Sequence, residues 1–201
     1  MHLNTFKYKP EHVDCSLCTE YKKKTGCAAH GCPWLADRIE AGVVGYAEAA
    51  REIFAKYPGL QFRQNLLIRL FPGTFWVDER HKKRMDYTKA LLGFRRKRDT
   101  SKFFAAMYLI TANEDIYKCA ANCLYKKGFD YSFARLRGIS THNYTLLMAV
   151  RGIYENTDGL TIADLADPYV VGPEAFRLIV NAALIARYGM GAMKLGRNKP
   201  D

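Results

Sequence analysis

Four cysteines fall within the first 32 residues, as Cys15-x2-Cys18-x8-Cys27-x4-Cys32, with His30 between the last two. Ligand-type residues this dense, in a segment poor in apolar side chains, point to a metal ion. Zinc takes four tetrahedral ligands, commonly Cys thiolates with or without His. A Cys-x2-Cys pair puts two sulfurs on one tight turn, and Cys15 and Cys18 have that spacing. The second pair must come from returning chain, either Cys27 with Cys32 or Cys27 with His30. The polar segment Glu20–Gly26 suits that return. One structural Zn2+ is the expected cofactor, because four protein ligands leave no open position for chemistry. Four thiolates also suit an iron–sulfur cluster. Disulfides are the other use of such cysteines. Met1–Lys9 has no apolar run like that of a signal peptide, and thiols stay reduced in the cytoplasm. Cys119 and Cys123 are a separate case. They stand four apart in a segment, 116–124, that reads as helix, so they share a face and could chelate. They read more simply as small buried hydrophobes.

The second chemical signal is charge. The chain carries 31 Lys and Arg against 20 Asp and Glu, a net charge of +11. A basic balance of this size favours polyanions: DNA, RNA or a ribonucleoprotein. Between Arg80 and Arg98 the charge is nearly one-signed, with Asp86 the single acid. The cations fall in two clusters, Arg80, Lys82, Lys83 and Arg84, then Arg95, Arg96, Lys97 and Arg98. The first follows a strand-like aromatic piece, Thr74–Val77, and the second follows the apolar turn 90–94. Basic residues interleaved with aromatics suit contact with phosphates and exposed bases.

Catalytic signatures are missing. There is no P-loop, no Gly-x-Gly-x-x-Gly, no Gly-x-Ser-x-Gly and no His-Glu-x-x-His. The His-x-Glu and Pro-Cys-x-x-Cys pattern of zinc deaminases is absent too. Asp78-Glu-Arg-His81 can be imagined as a nuclease centre with His81 as base, but acids beside bases more often balance surface charge. No catalytic residue is assigned.

The elements that must position these groups read as mainly α. A 201-residue chain that is 49% hydrophobic can bury a real core, and no apolar run approaches the ~18 residues needed to span a bilayer. The protein is expected to be cytoplasmic, with no membrane partner. Leu35, Ile39, Val43, Tyr46, Ala50, Phe54 and Tyr57 recur at spacings of three and four, which predicts one amphipathic helix from Pro33 to Pro58. Residues 61–70 fit strand or helix equally, 71–73 a turn, and 74–77 a short strand or extended piece. From Thr100 onward the pattern is helical. Thr111–Glu114 has capping-box spacing, and the helix it opens runs to Gly128. Further helices are expected over 143–154, from Thr161, and from Gly172 to Gly189.

The elements from Asn143 to Leu195 resemble a winged helix-turn-helix domain. A helix is followed by Thr157–Thr161, a short Ile162–Ala166 helix, a longer one over Pro173–Tyr188, and a wing-like stub at 190–195. The string Gly-Leu-Thr-Ile-Ala-Asp-Leu-Ala is similar to the entry of the second helix in bacterial regulators of this family. The resemblance implies that the third helix enters a major groove, with Arg177, Asn181 and Arg187 as its readers. As a whole the chain is similar to small proteins carried on mobile elements of gut Firmicutes. That likeness implies a regulator, a conjugation accessory or an inhibitor of host defence.

The expected architecture is a helical bundle with a Cys-rich zinc module over 1–34, a helical domain over 35–130 and a winged-helix-like part over 131–201. The expected function is zinc-containing nucleic-acid binding. The alternative is an inhibitor of the anti-CRISPR or anti-defence type that binds a host protein or ribonucleoprotein.

Overall fold

A computed structural model describes residues 7–19, 21–22, 24, 26–27, 32–157 and 159–196, apart from the side chains of residues 26 and 27. The chain is mainly helical. At the N-terminus a 3-10 turn, Cys15–Leu17, leads into a hairpin of β1 (Tyr21–Lys22) and β2 (Gly26–Cys27). Then come α1 (Leu35–Glu40), α2 (Tyr46–Ile53), α3 (Gln61–Leu70), α4 (Glu79–Leu92), α5 (Ser101–Ile110) and α6 (Glu114–Ala120). A second hairpin follows, β3 (Leu124–Tyr125) with β4 (Gly128–Phe129), and then α7 (Thr141–Glu155), α8 (Ile162–Ala166) and α9 (Pro173–Tyr188).

At the centre stands α5. Its sequence, Ser-Lys-Phe-Phe-Ala-Ala-Met-Tyr-Leu-Ile, is apolar nearly all round, and such a helix is normally buried. It packs chiefly on α9 and α7, which also pack on each other. Each end is set by local chemistry. Thr100 caps α5 by accepting from the Phe103 amide at 3.2 Å, and Ser140 caps α7 through the Asn143 amide. Pro173 opens α9, and Gly189 at φ 77° closes it. One hydrophobic cluster runs from Leu35 to Leu195, so segments 35–130 and 131–201 share a core. Each large side chain fully buried there contributes about 1.5–3 kcal/mol.

Inside that core lies a polar network. Asn181 Oδ1 accepts from the Tyr46 hydroxyl at 2.8 Å, and its Nδ2 donates to the Tyr108 hydroxyl at 3.2 Å. Tyr108 in turn donates to the Phe75 carbonyl. Tyr46 stacks flat on Phe71, with centroids 3.6 Å apart. These contacts tie α2, the 71–75 segment, α5 and α9 together.

Several expectations change. The single helix over 33–57 is two, α1 and α2, because Gly42 adopts φ 76° and the chain turns before Tyr46. Residues 74–77 form no strand, and the ambiguous 61–70 is the helix α3. The cap of α6 is Asn113, not Thr111, whose hydroxyl donates to the Met107 carbonyl within the last turn of α5. Nor does α6 reach Gly128. It stops at Ala120, so Cys119 and Cys123 do not share one helix face. Cys123 is buried, which pushes its thiol up to about 11, and Cys119 is half-buried. Residues 190–194, where the resemblance implied a wing-like stub, form a 3-10 turn.

Candidate nucleic-acid interface and cysteine site

Helix α4 carries the basic stretch. Asp78 caps it through the His81 amide at 2.6 Å. His81, Met85 and Thr88 recur at spacings of four and three and are buried, so the opposite side must face solvent. On that side Arg80, Lys83, Tyr87 and Leu91 recur at spacings of three and four, all exposed. Lys82 is exposed a step further round the helix. Beyond the C-terminal Gly93, at φ 62°, come exposed Phe94, Arg95, Arg96 and Lys97. Residues 90–92 are the last turn of this helix rather than a separate apolar turn, which continues the stripe. Tyr87 was missed in the sequence, although its spacing of four from Lys83 and from Leu91 was there to be read.

Other expected contacts lie elsewhere. Arg84 donates from Nε to the Thr111 carbonyl and from Nη2 to the Ala112 carbonyl, both at 2.8 Å, and so covers the C-terminal end of α5. Arg98 is buried. It pairs with Asp99 at 2.6 Å and donates to the carbonyls of Leu92 and Gly93, closing the end of α4. Both arginines are spent on backbone carbonyls of the protein itself, which leaves them no part in the expected nucleic-acid contact. Asn181 is fully buried in the tyrosine network, so it reads no groove. Arg177 is half-buried on α9, and Arg187 is exposed over the Tyr188 ring. His81 is fully buried and cannot serve as a solvent-facing base. Its Nε2–H donates to the Tyr108 carbonyl at 2.9 Å, and its Nδ1 accepts from the Val77 amide at 3.3 Å.

The cysteines meet around a second feature. Cys15, Cys18 and Cys32 all line one cavity of about 410 Å³ between the N-terminal turns and α1. Asp14 caps the Cys15–Leu17 turn through the Ser16 amide at 2.8 Å. The Cys18 amide donates to the Cys15 carbonyl, and the Tyr21 amide to the Cys18 carbonyl at 3.0 Å. The hairpin sets Cys27 opposite Tyr21, which returns its backbone to the Cys15–Cys18 turn. Among the described residues no three His, Cys, Asp or Glu side chains group as metal ligands. The Cys27 side chain and His30 lie outside the described residues.

Arg38, on α1, lines the same cavity and is 8% exposed. Its Nη1 donates to Glu48 Oε1 at 2.6 Å and to the Cys32 sulfur at 4.0 Å. Burial works against its charge, yet Glu48, with the Cys32 and Cys15 sulfurs, more than offsets this and raises its pKa. Its buried Nε has no partner among the described residues. Arg38 thus places guanidinium N–H groups beside the cysteine-lined cavity. An arginine six residues beyond the last cysteine was the available signal, and it was missed.

A third feature is an apolar groove of about 390 Å³ between α3 and the start of α9. Phe62, Leu66 and Leu70 line one wall, with Pro168 and Phe176 opposite. Among the described residues no helix is long and apolar enough to cross a membrane. No protein-family model matches the chain, and no curated protein or solved structure does so either.

Proposed function

We propose that the protein is a zinc-containing nucleic-acid-binding protein that meets its polymer through the exposed face of α4 and the Phe94–Lys97 segment. The observation that carries this reading is the stripe itself. Arg80, Lys83, Arg95, Arg96 and Lys97 are exposed and cationic, with exposed aromatic side chains set among them. Cations neutralise phosphates and release counterions. Aromatic faces take bases.

Zinc belongs to the same proposal as a structural element. Cys15, Cys18, Cys27 and Cys32 would hold it. Three of these line one cavity, and the backbone of the fourth returns beside them. Four thiolates on one Zn2+ carry net negative charge, and Arg38 supplies the adjacent positive group. The metal would fix the loop-rich N-terminal module against α1.

Binding to short DNA and RNA over a salt series tests the function. If the five cations each neutralise one phosphate, log K falls with log salt at a slope of about −3.5 on a single strand. Changing Arg95, Arg96 and Lys97 to Gln should reduce that slope by about 2. Absence of binding to either polymer at low salt removes the reading. The groove between α3 and α9 favours a second reading, a mobile-element inhibitor that docks on a host protein. Retained partner capture by the Gln variant, with no polymer bound, would support it.

A further inference from the structure

Phosphate contact alone leaves the apolar side chains of this face unexplained. Tyr87 is 61% exposed, Leu91 65% and Phe94 83%. Phosphates give such groups nothing to bind, and in a duplex the base faces are stacked away. Unpaired bases offer flat apolar surfaces, and aromatic side chains beside a basic track are how single strands are held. Phe94 also borders a shallow cavity of about 180 Å³, whose walls include Gly93, Phe104 and Met107. This is smaller than the ~300–1,000 Å³ of ordinary small-molecule sites and suits one flat ring. Lys89 reaches over it, its ammonium 5.8 Å from the Phe104 ring centroid. The Arg98–Asp99 pair lies at its edge and is satisfied within the protein.

We infer that this face binds single-stranded DNA, with bases stacked on Tyr87 and Phe94, one of them over the cavity beside Phe104. The inference rests on the nucleic-acid reading above and names its substrate class. Phosphates run along Arg80 and Lys83 at one end and Arg95, Arg96 and Lys97 at the other. Charge complementarity selects a polyanion over an apolar protein surface. The exposed residues between Arg80 and Lys97 include no Ser, Thr, Asn or Gln. Ala90 and Leu91 lie between the two stacking residues in the chain and offer a deoxyribose an apolar contact. Two exposed acids border this stripe: Glu79 stands four residues before Lys83, and Asp86 lies 3.9 Å from Lys89.

The test is fluorescence anisotropy of the full chain with one labelled sequence as single-stranded DNA, as its duplex and as single-stranded RNA, at low and at physiological salt. Single-stranded DNA should bind tightest. Tyr87→Ala or Phe94→Ala should weaken it about 5- to 150-fold while the salt slope stays unchanged. Phe94→Trp should restore it. Both side chains are exposed, so an unchanged circular dichroism spectrum is expected of each variant. Equal duplex binding, with the alanine variants as tight as the parent, overturns the single-strand assignment and leaves the nucleic-acid reading standing. Tighter RNA binding overturns the choice of DNA. Failure of all three polymers at low salt removes the nucleic-acid reading itself.

Discussion

At the scale of residues, the buried polar groups make the sharpest predictions. Asn181 satisfies two tyrosine hydroxyls in the core. Asn181→Ala strands both and opens a cavity, so unfolding free energy should fall by about 3 kcal/mol. Urea denaturation reads that loss, and a change under about 1 kcal/mol would show that the network is dispensable. His81 predicts a pH dependence. Burial pushes its pKa down to about 4 from the ordinary 6.5, with the Tyr108 carbonyl opposing, Arg84 adding, Asp78 opposing and Arg177 adding. Between those values the unfolded chain binds a proton that the folded chain refuses. Stability is therefore full above about pH 6.5 and falls as pH drops, by about 2 kcal/mol at pH 5. Denaturation of wild type and His81→Gln at both pH values checks this, since the variant should decline less. Arg38 predicts metal retention. Elemental analysis should find about one zinc per chain, and Cys15→Ser or Cys18→Ser should release it. Arg38→Met should weaken retention against a chelator about 10-fold. Retention equal to the parent's would show that Arg38 serves Glu48 alone.

At the scale of elements, α4 does two jobs on two faces. One face buries His81, Met85 and Thr88 and sends Arg84 to the end of α5. The other presents Arg80, Lys83, Tyr87 and Leu91 to solvent. Substitutions should separate these jobs. Arg84→Met should cost about 1–2 kcal/mol of stability and leave the salt slope of binding unchanged. Changing Arg95, Arg96 and Lys97 should do the reverse. Helix caps made much of this fold legible: Thr161 with Asp164 for α8, and Pro173 and Gly189 for α9, are local signals. What misled were elements decided by tertiary packing. The apolar period over 33–57 continues through Gly42, and nothing local says that the chain breaks there. The short hairpin at 124–129 has strands too short for a two-residue alternation to register. The sequence also weighted every cation in 80–98 alike. A charge count cannot tell Arg98, which is folded onto backbone carbonyls, from Arg95, which is in water.

At the scale of the molecule, one core joins α1 through α9, and the basic face lies on its outside. Asn181 sits in that core, and the apolar α9 that carries it is the partner of α5. The proposed polymer contact therefore rests on α4, not on α9. Of the net charge of +11, five exposed cations lie along the stripe from Arg80 to Lys97, where the proposal puts the polyanion. The most direct measurement is isolation of the intact protein from the cells that make it, in mild salt, with and without nuclease treatment. Nucleic acid should co-purify, and nuclease should remove it together with whatever that polymer tethers. A host protein retained in fixed proportion after nuclease treatment, with no nucleic acid before it, would contradict nucleic-acid binding as the function.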